Sequence, residues 1–222
     1  MLKRSVTTLR SAVALLKIAG VKAFLGKLRR QIYCKDVQIG MELNLEGYSP
    51  PPFICNIKYN LKMASAANMN EAFGKIKTES RESREILLYM KWLYECGFRS
   101  WYVARTADAN EVCFLMLVIR PEDNGLIRKG FKSWFPRIKE DEVIIEAAYA
   151  YDNYRGQGLT TSAHIDIINL YKAKGIKRSI LYIKRENLPS FKTAWRIGYR
   201  TFEEVPMRKI LFFTIRKFNQ AY

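Results

Sequence analysis

The chain has 222 residues, 49% hydrophobic and 27% charged, which suits one good-sized domain, or a domain with an extension, and argues against a disordered tract. No uninterrupted apolar run approaches the ~18 to 20 residues that span a bilayer, and a single histidine, His164, excludes multi-histidine metal sites. The 38 lysines and arginines outnumber the 21 acids, giving +17 and a pI near 9.8. This surface suits anions of many kinds without choosing among nucleic acid, anionic lipid, phosphorylated cofactors and acidic proteins.

In chain order, residues 1–32 hold Lys3, Arg4, Arg10, Lys17, Lys22, Lys27, Arg29 and Arg30, and no acid precedes Asp36. Leu2, Val6, Leu9, Val13 and Leu16, then Val21, Phe24, Leu25, Leu28 and Ile32, recur at helical spacing on either side of Gly20. Residues 1–48 therefore read as a basic amphipathic helical extension. Packing on the domain or a second subunit, lying on an anionic membrane surface, and serving as a targeting segment all stay open. Ser49-Pro50-Pro51-Pro52 reads as a junction, and residues 53–222 as the folded domain.

Within that domain, Phe53–Lys62 reads as a strand and residues 67–96 as a helix carrying Ile86, Leu87, Met90, Leu93 and Tyr94, stopped by Gly97. Trp101–Thr106 and Val112–Ile119 form a hairpin around Asp108-Ala109-Asn110. A long connection, Pro121–Asp141, holds Phe131, Trp134, Phe135 and Ile138 at the spacing of one short helix. It reads either as a lid lining an acyl or acceptor pocket or as a cover for the sheet. Glu142–Ala150 is a strand, Leu159–Lys174 a helix, Ile176–Lys184 a strand, Pro189–Ile197 a helix and Met207–Phe218 a last strand. Helices and strands alternating in this way predict an α/β fold with a central mixed sheet. Cys34, Cys55, Cys96 and Cys113 are too far apart for a zinc knuckle or redox pair and read as buried small hydrophobes in a reducing compartment.

The chemistry concentrates where the strand ending Ala147-Ala148-Tyr149-Ala150 passes through Tyr151-Asp152-Asn153-Tyr154 into Arg155-Gly156-Gln157-Gly158-Leu159-Thr160 and a helix. Strand, glycine loop and helix N-terminus make an anion site, because free backbone N–H groups and the positive helix end converge there. The loop lacks a P-loop GKS/GKT ending and a full GxGxxG, so it indicates neither nucleotide hydrolysis nor dinucleotide binding. Glu146 is the one acid inside the apolar run and the best general-base candidate, since burial raises a carboxyl's proton affinity. Its bland reading is a salt-bridged or outward-facing carboxylate. Tyr149 and Tyr151 are candidates for acid or polar relay, or ordinary packing aromatics. His164 reads as a packed helix residue, and the pairs Lys177-Arg178 and Lys184-Arg185 as anion partners or solvated charges. A nucleic-acid face of interleaved basic and aromatic residues is not evident.

The loop Arg155-x-x-Gly158-x-Thr160, followed by Asn187-Leu188-Pro189-Ser190 and Gly198-Tyr199, resembles the signature of the Gcn5-related N-acetyltransferase (GNAT) superfamily over about residues 53–218. The resemblance implies an acyl-coenzyme A fold and N-acyl transfer, most simply from acetyl-CoA to an amine, with no metal. It implies that the backbone of Arg155, Gly156, Gln157, Gly158, Leu159 and Thr160 cradles the pyrophosphate, that Ala148 and Ala150 pair with the pantetheine arm, and that Asn187 and Ser190 touch the cofactor. Thr160 stands where the family has Gly or Ala, and the helix tyrosine many relatives use as acid falls at Ala194, leaving Tyr182 to compete for the role. Alternatives keep the fold but change the donor to a longer acyl-CoA or an acidic acyl carrier protein at a membrane surface, or reduce the protein to a weakly catalytic CoA-binding module. The expected location is cytoplasmic or peripheral at the inner face of a membrane, and a homodimer is allowed.

Overall fold

A computed structural model describes residues 33–210, 213–216 and 218. The helical stripes expected in residues 1–32 lie outside the described residues. Residues 33–48, read with them as extension, behave differently: Tyr33–Asn44 is strand β1. Its Ile39, Met41 and Leu43 are buried on one face, the period-two pattern of a half-buried strand.

Strand β2 (Tyr59–Met63) is followed by helices α1 (Ala66–Gly74) and α2 (Arg81–Glu95), then β3 (Trp101–Thr106), β4 (Val112–Ile119) and β5 (Glu142–Ala150). Helix α3 (Leu159–Ala173), β6 (Arg178–Lys184), α4 (Leu188–Ile197), β7 (Arg200–Ile210) and β8 (Phe213–Arg216) complete the order. The helix expected over residues 67–96 is thus two, because Ser65 caps the first through the Asn68 N–H (3.2 Å) and Ser80 opens the second through the Ser83 N–H (3.4 Å). The strand expected from Phe53 starts later, at Tyr59, and the last strand expected over Met207–Phe218 is instead a hairpin of β7 and β8.

The eight strands lie in the order β2-β3-β4-β5-β6-β1-β7-β8. All neighbours pair antiparallel except β5 and β6. β1 sits between β6 and β7, with Met41 opposite Leu181 on one side and Thr201 on the other. Every residue of β4 is buried, as expected for a central strand covered on both faces. Helices α3 and α4 cover one face, with Ile167, Ile168, Phe191 and Ile197 on Met41, Met116 and Val118. Helices α1 and α2 and the connection after β4 cover the other, with Met69, Leu87, Met90 and Phe135 on Leu115, Leu117 and Ile144. No helix among the described residues is long and apolar enough to cross a membrane.

The α3 face encloses a polar chain. His164 Nε2 is 3.0 Å from the Tyr199 hydroxyl, which is 2.6 Å from Ser179 Oγ, and all are buried. Burial pushes the histidine's pKa down to about 3, so it is neutral in the fold. A depressed folded-state pKa means that the unfolded chain takes up the proton first. Stability is therefore full above about pH 6.5 and lost as pH falls toward 3. Chemical denaturation between pH 7 and 4.5 is expected to show His164→Gln with a shallower loss than wild type. The difference should approach, at most, about 1.4 kcal/mol per pH unit, and parallel curves would show that this histidine is not the sensor.

Candidate active site at the parting of two strands

The parallel pairing of β5 with β6 runs from Glu142 opposite Arg178 to Ile145 opposite Leu181 and ends there, although β5 continues to Ala150 and β6 to Lys184. Between Leu115 and Leu117 of β4, the partner on β5 jumps from Tyr149 to Glu146, one residue more than regular pairing uses. The extra residue is a β-bulge, and Ala147 within it takes φ +55°. In a regular strand Glu146 and Tyr149 would face opposite sides. The bulge turns both toward α2 and leaves the β6-facing edge of residues 146–150 without a strand partner.

Directly beyond β5, Gly156 and Gly158 adopt φ +74° and +85°, conformations that glycine reaches without a Cβ penalty. Gly158 is the N-cap of α3, which has no side-chain cap and no acid in its first turn. The first helical bond runs from the Ser162 N–H to the Gly158 carbonyl (3.1 Å), so Leu159, Thr160 and Thr161 present N–H groups to an anion at the positive end of a 15-residue helix. Leu159 is buried and anchors the turn, while Thr160 is half-exposed and adds a hydroxyl.

The Arg155 side chain does not reach into this cradle. Its guanidinium bonds Asp152 (2.9 Å), Ser83 Oγ (3.0 Å) and the Ala150 carbonyl (3.1 Å), and stacks 5.1 Å over the Tyr149 ring. Asp152 in turn accepts from Ser83 Oγ (2.7 Å) and the Ser80 N–H (3.1 Å). The network ties the N-terminus of α2 to the end of β5 and fixes the loop from behind. From the other side, the Asn56 N–H donates to the Gln157 carbonyl (3.0 Å). Asn187 caps α4 by accepting from the Ser190 N–H (3.3 Å), which spends its side-chain oxygen locally. On the unpaired edge Ala148 is exposed and Ala150 buried.

Glu146 is half-buried and accepts a hydrogen bond from the Tyr89 hydroxyl of α2 (3.1 Å). Burial raises its pKa above the usual glutamate value, against the opposing pull of the Arg216 charge and the Tyr89 bond. The same burial and the Glu146 charge hold the Tyr89 hydroxyl well above the ordinary tyrosine range. Tyr149 and Tyr151 are not brought to this carboxylate. Both are buried, with the Tyr149 hydroxyl donating to Glu79 (2.7 Å) and that of Tyr151 to the Ala72 carbonyl (2.8 Å). Tyr182 donates to Glu203 (3.0 Å), and Ala194 is buried in α4. Phe131 and Phe135 pack edge-on against Phe98 at 5.1 and 5.6 Å, so most of the connection after β4 is cover for the sheet. Its Trp134 is half-buried and rests on Tyr89 and Trp92, with ring centroids 6.1 and 5.2 Å away.

Sequence reasoning missed Tyr89 and Arg216. Tyr89 and Trp92 form an aromatic i, i+3 pair beside the apolar stripe of α2, a legible signal. Arg216 carries none, because nothing in its neighbourhood in the chain announces where β8 folds.

No family model matches the chain, and no curated protein matches it. Solved structures do. The GCN5-related glucosamine N-acetyltransferase region of a fungal multi-domain GH3 beta-N-acetylglucosaminidase is 14% identical at TM-score 0.60, covering 83% of this chain and 22% of that one. A GCN5-related N-acetyltransferase from Sphaerobacter thermophilus is 15% identical at TM-score 0.55, covering 90% and 58%. A GNAT-family acetyltransferase from Colwellia psychrerythraea is 10% identical at TM-score 0.51, covering 83% and 56%. The chain thus spans less than two thirds of the length of each of these structures. The fold is that of the GNAT acetyltransferases, as the loop and helix signatures led us to expect.

A Cβ at Gly158 would lie 2.7 Å from the Ile54 carbonyl and 2.9 Å from the Phe53 ring, whereas one at Gly156 meets open space. Both residues are left-handed, so strain is common to the pair and the collision is not. Gly158→Ala is expected to cost on the order of 1–3 kcal/mol, clearly more than Gly156→Ala by thermal or denaturant unfolding. Equal costs would mean that the Phe53–Asn56 contact is soft.

Proposed function

We propose that this protein is an N-acyltransferase that moves an acetyl group from acetyl-CoA to an amine by direct attack. The observation that carries the reading is the coincidence, at one end of the sheet, of an unpaired β5 edge, an uncapped helix N-terminus and a desolvated carboxylate. The pyrophosphate of CoA would sit on the N–H groups of Gly158–Thr161. The pantetheine amides would pair with the free edge at Ala148 and Ala150 as an added strand does. This would deliver the thioester to the parting of β5 and β6, beside Glu146.

The amine nitrogen then attacks the thioester carbonyl carbon, and a C–N bond forms as the carbonyl oxygen takes negative charge. Backbone N–H groups at the bulged β5 edge would hold that oxygen. Glu146 accepts the proton the nitrogen must lose, directly or through one water. The tetrahedral centre collapses with rupture of the C–S bond, and the departing CoA thiolate takes, through water, the proton that Glu146 removed, which regenerates the carboxylate. Tyr89, on Glu146, positions the carboxylate. Positioning supplies most of the rate, and the raised proton affinity of Glu146 makes it a stronger base than a solvated glutamate.

Two outcomes follow. Thr160→Glu puts a carboxylate in the first turn of α3, which favours the helix by a few tenths of a kcal/mol but competes with the pyrophosphate. Calorimetric titration with CoA is expected to show micromolar binding to wild type, weakened at least about tenfold, ~1.4 kcal/mol, in a variant that melts no lower. Unchanged binding would put the cofactor elsewhere. Glu146→Gln is expected to lower kcat by about 10²–10⁴-fold with any accepted amine. It should also abolish the acidic limb of the kcat/KM profile, whose midpoint in wild type lies above the ordinary glutamate value. A limb that persists in the variant would assign the base to another group.

A further inference from the structure

Strand register places four polar residues on the α2 side of the sheet. Ile144 of β5 faces Ile180, and Glu146 lies two residues further along. Tyr182 of β6 faces Gly40 of β1, and Gln38, two residues before Gly40, faces Val205 of β7. Met207, two beyond Val205, faces Arg216 of β8. The far edge is folded back over this face. The Arg216 N–H donates to the Ser133 carbonyl (3.0 Å) and its Nη1 to that of Trp134 (2.7 Å). Trp134 stacks on Tyr89, which bonds Glu146. Contacts therefore join Glu146, Tyr89, Trp134 and Arg216, and the strand register puts Gln38 and Tyr182 on the same face.

Two atoms on this face are buried without a partner among the described residues, Gln38 Oε1 and Arg216 Nε. Their residues are 5% and 9% exposed. An orphaned carbonyl and an orphaned guanidinium N–H are each costly inside a protein. The guanidinium interacts with the Tyr89 hydroxyl and feels the Glu146 charge, yet no carboxylate among the described residues lies at ion-pair distance from it. A planar anion is the group that a guanidinium edge matches best, and a carboxamide oxygen accepts from N–H.

Resting on the acyltransferase reading above, we propose that this face is the acceptor subsite and that it takes an amine carrying its own carboxylate. The carboxylate sits against Arg216, the amine points to Glu146, and Gln38 accepts an N–H of the acceptor. Trp134 and Tyr89 wall the site and limit it to a small molecule or the end of a chain.

The test is a panel of matched pairs that differ only in the carboxylate: glycine and methylamine, leucine and isopentylamine, phenylalanine and phenethylamine, lysine and cadaverine. Each is titrated calorimetrically into the full chain saturated with CoA, and each is assayed with acetyl-CoA. At least one carboxylated member is expected to bind tenfold or more tighter than its partner. Arg216→Met should remove the preference and Arg216→Lys keep part of it, while Glu146→Gln keeps the preference in binding and loses turnover. Equal affinities within every pair, no binding of any carboxylated member, or a preference unaltered in Arg216→Met would overturn the proposal. Turnover of amines without regard to the carboxylate would sink the subsite and leave the transferase standing. Carboxylate-selective binding with no acetylation of any member would sink the transferase and leave the subsite.

Discussion

The site depends on how early β5 and β6 stop pairing. Parallel strands held by the sheet on both sides would ordinarily pair to their ends, and here they part after Ile145 and Leu181. The bulge at Ala147 is the local cause. It inserts one residue against β4, increases the twist, and withdraws the end of β5 from its neighbour at the cost of one left-handed alanine. Below the parting, Arg178 of β6 bonds Glu142 of β5 and Glu42 of β1, each at 2.6 Å, and clamps the closed end. Above it, the Arg155 network holds the end of β5 to α2. The wedge is therefore fixed at both ends by arginines that belong to the scaffold.

The two faces of the sheet divide the labour. On the α3 face His164, Tyr199 and Ser179 satisfy one another in a neutral, buried chain. On the α2 face polar atoms are left over: a carboxylate with raised proton affinity, an amide oxygen and a guanidinium N–H. Native proteins bury few such groups, and those they keep sit where something else completes them. In the proposal above these groups make the α2 face the side on which an acceptor would arrive, with the anion cradle of α3 reached from the same end of the strands.

Much of this was legible beforehand for simple reasons. The apolar runs of β4 and β5 and the glycines at 156 and 158 each report a local constraint, and local constraints survive in sequence. The anion loop could be read because its chemistry is backbone, which needs only glycine and a helix start. Roles that depend on tertiary contact were not legible. The expectation for Arg155 concerned its backbone, and nothing local announced that its side chain turns back to Asp152 and Ser83. Tyr149 and Tyr151 stand next to the site in the chain, but their hydroxyls are taken by Glu79 and Ala72. β1 was overlooked although Val37, Ile39, Met41 and Leu43 alternate plainly, because the basic helical pattern before it drew residues 33–48 into the same unit.

That strand has a consequence for how the protein is made. β1 leaves the ribosome before every other described element, yet its partners, Arg178–Lys184 and Arg200–Ile210, are synthesised among the last. It must stay unpaired while more than half of the chain emerges, with its apolar face and both hydrogen-bonding edges open. Contacts that span such separations make folding slow and leave nascent chains prone to sticking to one another. The sheet closes late, by capture of its oldest strand between two of its youngest.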